Sequence, residues 1–173
     1  MENLIFKKLT TKNFKDCLRI KHLLFPESNS DKDYEDYFNK IVKSEYFVVY
    51  LGNLPCAITG WYDFDNKNIN AFMGWYGVLP EFRQKGIGSK VFDFTLKQAK
   101  KHNYNYFRLY TDKVVNATSC ILYQKKNMLC EDYTFDDNIG RTNNFVVFTT
   151  IIKSNGEDKW NNRPLNEDFN YEF

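Results

Sequence analysis

The stretch "GWYGVLPEFRQKGIGSKVFDFTLKQAK", residues 74–100, constrains this chain more than any other. An aromatic and β-branched run ends at Val78, Pro80 breaks it, and Gly86 and Gly88 open a segment in which Val91, Phe92, Thr95, Leu96 and Ala99 recur three and four apart. That spacing predicts an amphipathic helix entered from a strand through a glycine turn. If the strand that follows lies in the same sheet, the helix is a right-handed crossover between parallel strands. Its first backbone N–H groups then have no intrahelical partner, and the aligned peptide dipoles place about half a positive charge there. Arg83 and Lys85 add mobile charge, so the corner predicts a site for an anion, phosphate above all.

Spacing narrows the anion. A dinucleotide fingerprint needs a third glycine where this chain has Val91, and no G-x-x-x-x-G-K-[ST] loop is present. What remains is R-x-x-G-x-G, Arg83-Gln84-Lys85-Gly86-Ile87-Gly88, five residues after Val78. Gly86 and Gly88 are expected to let the main chain approach an anion and to take backbone angles closed to other residues.

Composition excludes several classes of function. The 173 residues, 43% of them hydrophobic, suffice for one domain with a core. The 24 basic and 22 acidic residues are interspersed and give a net charge of +2, so no basic stripe points to nucleic acid. "MENLIFKKLTTKNF" lacks the pattern of a secretion signal, and no apolar run approaches the roughly 20 residues that span a bilayer. A soluble, cytoplasmic protein with no membrane partner is the expectation. Cys17, Cys56, Cys120 and Cys130 form no C-x-x-C pair, so neither a zinc site nor a disulfide framework is signalled, and most of them should be buried thiols.

Along the rest of the chain, "LIFKKL" reads as a strand, and Thr10 and Thr11 offer caps to a helix with Phe14, Leu18 and Leu24 on one face. After Pro26 a second helix, "DKDYEDYFNKIVKS", carries Tyr34, Tyr37, Phe38 and Ile41 as its apolar face. Gly52-Asn53 is a hairpin signal within three antiparallel strands over residues 46–78. "YFRLYT" reads as the next strand, "NATSCILYQKKN" as a helix capped by Asn116, and "MLCEDYTF" and "NFVVFTTII" as the last two strands. Residues 1–152 are assigned to the domain and 153–173 to a polar extension, a loose tail whose Trp160, Phe169 and Tyr171 are available for docking.

With the glycine loop and this last helix in view, the sequence resembles the GNAT superfamily of acyl-CoA N-acyltransferases. The loop has the form of that superfamily's pyrophosphate-binding turn. "NATSCILYQKKNM" is similar to its N-x-x-A-x-x-L-Y-x-K-x-G-F helix, with Asn116, Leu122, Tyr123 and Lys125 in register. Ser119, Asn127 and Met128 depart from the usual Ala, Gly and Phe, so a different turn after this helix is expected.

The resemblance implies an α/β (α+β) GNAT fold: a mixed, mostly antiparallel sheet of about seven strands, splayed at a parallel pair, with about four helices. It implies acetyl-CoA as co-substrate with no metal, and transfer of the acetyl group to a primary amine of a small molecule or peptide by direct attack in a ternary complex. Coenzyme A would pair with the main chain of Gly77 and Val78, with Arg83, Gln84, Lys85, Gly86, Ile87, Gly88 and Ser89 around its pyrophosphate, and with Asn116. The backbone N–H of Val78 would serve as oxyanion donor and Tyr123 as general acid. The general base stays open among Glu27, Asp112, His22, Tyr76 through a water chain, and water alone. His22 also reads as a surface residue and Asp112 as a turn residue. Trp61, Tyr62, Trp75 and Tyr76 offer an aromatic wall for an ammonium group, two of the four being expected in the core. A non-catalytic acyl-CoA-binding module and a transferase of a larger acyl group are the alternatives, the latter opposed by the bulk of Trp75 and Tyr76. The protein is expected to be a monomer or homodimer.

Overall fold

Alternation of apolar side chains along the hairpin on either side of Gly52-Asn53 sets the frame. In β2 (Ser44–Leu51), Tyr46, Val48 and Tyr50 pack on one face of the sheet, and Val49 packs on the other. This is the two-residue period of a strand buried on both sides. β2 pairs antiparallel with β1 (Leu4–Lys8) and with β3 (Leu54–Asp63), and β3 pairs antiparallel with β4 (Asn70–Val78). These elements belong to a computed structural model that describes residues 3–28, 30–134 and 144–165.

From β4 the chain passes through a single 3-10 turn, Pro80–Phe82, into α3 (Ile87–Lys101), and returns as β5 (Tyr106–Asp112), parallel to β4. α4 (Ala117–Lys125) leads to β6 (Leu129–Asp132), and β7 (Phe145–Ile151) inserts antiparallel between β5 and β6. The described residues thus form a mixed seven-stranded sheet in the order β1-β2-β3-β4-β5-β7-β6. This is the architecture expected from the sequence.

α3 and α4 cover one face, where Phe92, Ala99, Phe107, Tyr123 and Phe148 share a core. Each fully buried aromatic or aliphatic side chain there contributes about 1.5–3 kcal/mol. α1 (Phe14–Leu24) and α2 (Lys32–Asn39) cover the other face, over Leu9, Tyr46, Val48 and Ile58. Cys17, Cys56 and Cys120 are buried free thiols, and Cys130 is an exposed one. No helix among the described residues is long and apolar enough to cross a membrane.

Three local expectations need correction. Asn13, not Thr10 or Thr11, precedes α1 as its cap residue. Its Oδ1 accepts the Thr10 N–H at 2.8 Å and its Nδ2 donates to the Lys8 carbonyl at 3.1 Å, so the asparagine ties the turn back to β1. α2 stops at Asn39 because Lys40 turns left-handed, which leaves Ile41 outside the helix and 55% exposed. The extension is not loose up to residue 165, because Trp160 and Leu165 are buried against Phe72, Tyr133 and Val147. Phe169 and Tyr171 lie outside the described residues.

What draws that segment in is Arg108, fully buried on β5. Its guanidinium donates to Asn70 Oδ1 (2.8 Å), Thr149 Oγ1 (2.7 Å) and the carbonyls of Glu157 (2.6 Å) and Asp158 (3.4 Å). Burial, aided by the charge of Arg163, pushes it down to about 10, so it stays charged at neutral pH. A buried charge demands such acceptors, and the chain after β7 supplies two of them as backbone.

Candidate functional site

The site begins where the sheet opens. β4 and β5 pair only through Asn70–Tyr106, Ala71–Phe107 and Phe72–Arg108. Beyond Phe72, β4 continues along β3 while β5 continues along β7. A bulge sharpens the divergence: Ile58 faces Gly77 and Gly60 faces Gly74, so β4 carries one residue more than β3 between these pairs. Within that stretch Trp75 takes φ 37°, rare for an aromatic residue. Leu79 donates its N–H to the Cys56 carbonyl on β3 at 2.9 Å. Because successive N–H groups of a strand alternate sides, the Val78 N–H faces away from β3, into the opening. The Val78 carbonyl accepts from Arg83 Nε at 2.9 Å, and Lys85 Nζ donates to the Glu81 carbonyl at 3.2 Å. The two cations of the loop thus brace its backbone.

At the corner, Gln84 (φ 62°) and Gly86 (φ 72°) are both left-handed. Gly86 caps α3, and the Lys90 N–H to its carbonyl (3.3 Å) closes the first helical turn. The N–H groups of Ile87, Gly88 and Ser89 therefore lack intrahelical partners. A Cβ on Gly86 would meet nothing within 4 Å, so the space beside it is open, as a phosphate group requires. Gly88 departs from expectation. It is helical, and its missing side chain makes room for the Tyr76 hydroxyl, which a Cβ would meet at 3.0 Å. That the left-handed position beside Gly86 falls to Gln84 was not readable from residue type.

A cavity of about 860 Å3 occupies the opening and extends over the α1–α2 face of the sheet. Tyr62, Trp75, Tyr76, Asp112, Asn116 and Tyr123 are among its walls, whereas Gly77, Val78 and residues 83–89 are not. His22 and Glu27 are exposed and off the cavity, and Trp61 is core, packed on His102 and Tyr104. Tyr62, Trp75 and Tyr76 line the cavity and at the same time pack against the core.

Tyr123 is buried, its ring 6.3 Å from Tyr76 and 5.2 Å from Phe148. Burial pushes its phenol well above the usual range, with smaller upward contributions from Tyr76 and Cys120 and an opposing one from Ser119, so it stays protonated. The Tyr76 hydroxyl donates to the Gly88 carbonyl at 3.0 Å and is pushed up by burial as well. Asn116 stands at the cap position of α4, yet its Nδ2 donates to Thr111 Oγ1 (3.0 Å) instead of capping. Asp112 secures this turn, its Oδ1 accepting the N–H groups of Val114 (2.8 Å) and Val115 (3.0 Å). After α4, Asn127 takes φ 56°, the left-handed state that glycine adopts most easily, and Met128 is buried. The substitutions thus keep a tight turn where a different one was expected.

Sequence reasoning missed the residues that α1 and α2 bring to the bulge. Asp33 Oδ2 accepts the Trp75 indole N–H at 2.7 Å. The Lys21 ammonium, fully buried, bonds Asp31 Oδ1 at 2.7 Å and the Ser30 carbonyl, and lies 4.5 Å from the Trp75 ring centroid. Both residues sit on amphipathic helices, where a lysine and an aspartate read as solvated polar face. Among the described residues, the cavity walls include Asp33, Asp36, Asp63 and Asp112 but no lysine, arginine or histidine.

Residues 14–128 match the sequence profile of the Acetyltransferase (GNAT) family. The chain is 26% identical over 121 residues to N-alpha-acetyltransferase 50 of Danio rerio, an alignment covering 68% of this chain and 69% of that protein. Among solved structures it is similar to Arabidopsis thaliana Naa50 in complex with the bisubstrate analogue CoA-Ac-MVNAL, at a TM-score of 0.69 and 18% identity over 85% of this chain and 97% of that one. It is also similar to spermidine N-acetyltransferase from Vibrio cholerae in complex with CoA and spermine, at a TM-score of 0.66 and 15% identity over 86% and 95% of the two chains.

Proposed function

The chain belongs to the acetyltransferase (GNAT) family, and on that footing we propose that it moves the acetyl group of acetyl-CoA to a primary amine by direct attack. The observation that carries this reading is the splay of β4 from β5 after Phe72, with Tyr123 on the wall of the cavity in that opening. Bound acetyl-CoA would supply an activated acyl carbon as a thioester. The amides of Ile87, Gly88 and Ser89, with Gly86 leaving room, would hold its pyrophosphate. Val78, whose main chain faces away from β3, would extend the sheet onto the pantetheine chain, which takes the place of a strand, whereas the main chain of Gly77 by the same alternation faces β3. The Val78 N–H would stabilise negative charge growing on the acyl oxygen. Tyr123, kept protonated by burial, would donate to the departing sulfur. Asn116 would bond near the pantetheine.

For the acceptor, the carboxylates on the walls support a cationic amine. With several carboxylates on the walls, a small di- or polyamine, which brings more than one positive charge, matches the site better than a peptide amino terminus, which brings one. Calorimetric titration with acetyl-CoA, desulfo-CoA and ATP tests the first half of the reading. Binding of both CoA species without ATP is expected, and failure to bind either removes the function. Thiol release with spermidine and with the peptide Met-Val-Asn-Ala-Leu then tests the second half. Faster turnover of the peptide would overturn the preference for a polyamine.

A further inference from the structure

We infer that Asp33 is the general base, the group that takes the first proton from the acceptor amine. The inference rests on the acyl-transfer reading and names a residue that reading lacks. β4 has no carboxylate between Asn70 and Val78, so the proton acceptor must come from another element. α2 delivers one. Asp33 lines the cavity that Tyr123 also lines, and its Oδ2 is pinned by the indole of Trp75, the left-handed residue of the β4 bulge. The indole is itself held by the Lys21 ammonium over its face and by Phe25 against it at 5.1 Å. The carboxylate therefore has a fixed place beside the strand expected to carry the thioester.

The other candidates are otherwise engaged. Asp112 accepts two backbone N–H groups as a turn residue, and Tyr76 donates its hydroxyl to α3. His22 faces Asp31 on the outside of α1 at 3.2 Å, and Glu27 is exposed. Among the titratable and charged groups around Asp33, Lys21 of α1, Lys32 of its own helix and the Trp75 N–H favour its ionised form. Burial, the largest influence, and Asp36 oppose them, and the net effect moves the carboxyl upward from its ordinary value. A base poised higher than a free aspartate is better matched to an amine.

In the transfer, Asp33 first takes a proton from the ammonium, and its own release of that proton to water resets it. The freed nitrogen lone pair forms the new C–N bond to the acyl carbon, the C–S bond breaks with its electron pair on sulfur, and Tyr123 protonates the sulfur. The second proton lost by nitrogen restores Tyr123. The products are an amide, a thiol and one proton in solution.

The test uses the full chain. Asp33→Asn keeps an acceptor for the indole and removes a burial penalty on charge, so melting temperature should hold or rise. Acetyl-CoA affinity should stay within about twofold of wild type. With spermidine as probe, kcat/KM at neutral pH should fall about 100- to 10,000-fold, and its decline toward low pH should disappear; Asp33→Glu should restore part of both. Asp36→Asn should raise KM but keep the low-pH decline. Independently of any acceptor, carboxyl-carbon NMR of aspartate-labelled protein with CoA bound should show Asp33 titrating above the ordinary carboxylate range, its signal assigned by its loss in Asp33→Asn.

A wild-type pH profile in Asp33→Asn, an ordinary titration of Asp33, or a loss of activity that tracks lost stability and lost CoA binding would each overturn the inference. If wild type binds acetyl-CoA and acetylates neither probe, the NMR titration alone decides about Asp33. If it binds no CoA species, the function itself falls, and Asp33 as its base falls with it.

Discussion

The corner at residues 83–89 and the wall around Trp75 both fix charge near the carboxyl end of β4, and they are made differently. The corner is one continuous segment: two left-handed residues, three free amides and a helix dipole. Its chemistry is backbone chemistry, and its own cations serve as braces. The wall assembles Lys21 and Phe25 from α1 and its end, Asp33 from α2 and Trp75 from β4 through side chains alone. On its far side, Phe64 is backed by Trp160 of the segment that Arg108 pins down, the rings 5.3 Å apart. A backbone site tolerates change in its neighbours, whereas a side-chain site changes whenever one contributor does. The donor half should therefore be robust and the acceptor half mutable.

The strongest way to break that contrast is at Arg108. Arg108→Met leaves four neutral oxygens without their donor and frees residues 157–160, and each acceptor that stays buried and unpaired costs about 1–3 kcal/mol. Urea unfolding measures the loss, and calorimetry on the folded fraction should find CoA affinity preserved. A parallel fall in affinity would mean that the two halves are not independent.

Gly86→Asp attacks the other half. It puts a negative charge into the open space beside three free amides, in a left-handed conformation, and should weaken CoA binding about 100- to 1000-fold with a melting temperature lowered by only a few degrees. Normal binding by this variant would place the diphosphate elsewhere. Tyr123→Phe should reduce kcat about 10- to 1000-fold in the thiol-release assay while leaving acetyl-CoA affinity intact. An unchanged kcat would remove Tyr123 as the acid.

The smallest effect sharpens the contrast through pH. Burial pushes Asp31 up, but the Lys21 ammonium and His22 outweigh it and hold the carboxyl below its usual range. A carboxyl held low in the folded state stabilises above its unfolded value and loses that contribution as pH falls through the folded one. Asp31→Asn should therefore flatten the decline of melting temperature with acid. An unaltered slope would show that the Lys21–Asp31 pair does not couple the helices to the bulge.

Much of the donor half was legible in advance because its cause is local. Strand, turn and helix over 74–101 follow from periodicity and two glycines, and Gly86 adopts the backbone state that makes a glycine useful there. Gly88 showed the limit of that logic. Its reason is the hydroxyl of Tyr76, twelve positions away, which no property of the loop announces. Asn13 shows the same limit at the start of α1, since a nearby threonine is an equally good cap by type and only the contact with Lys8 distinguishes them.

By itself the sequence determined the order of elements, the parallel crossover, the glycine turn into α3 and the tyrosine on α4, since each depends on residues within a turn or two of one another. Only the tertiary structure decided which polar groups of α1 and α2 turn inward, that a buried arginine recruits residues 157–160, and that Asp33 meets the indole of Trp75. A lysine or aspartate on an amphipathic helix has the same local pattern whether water or a distant strand faces it. The free energy of a buried charge is set by partners that chain separation hides until the sheet has formed.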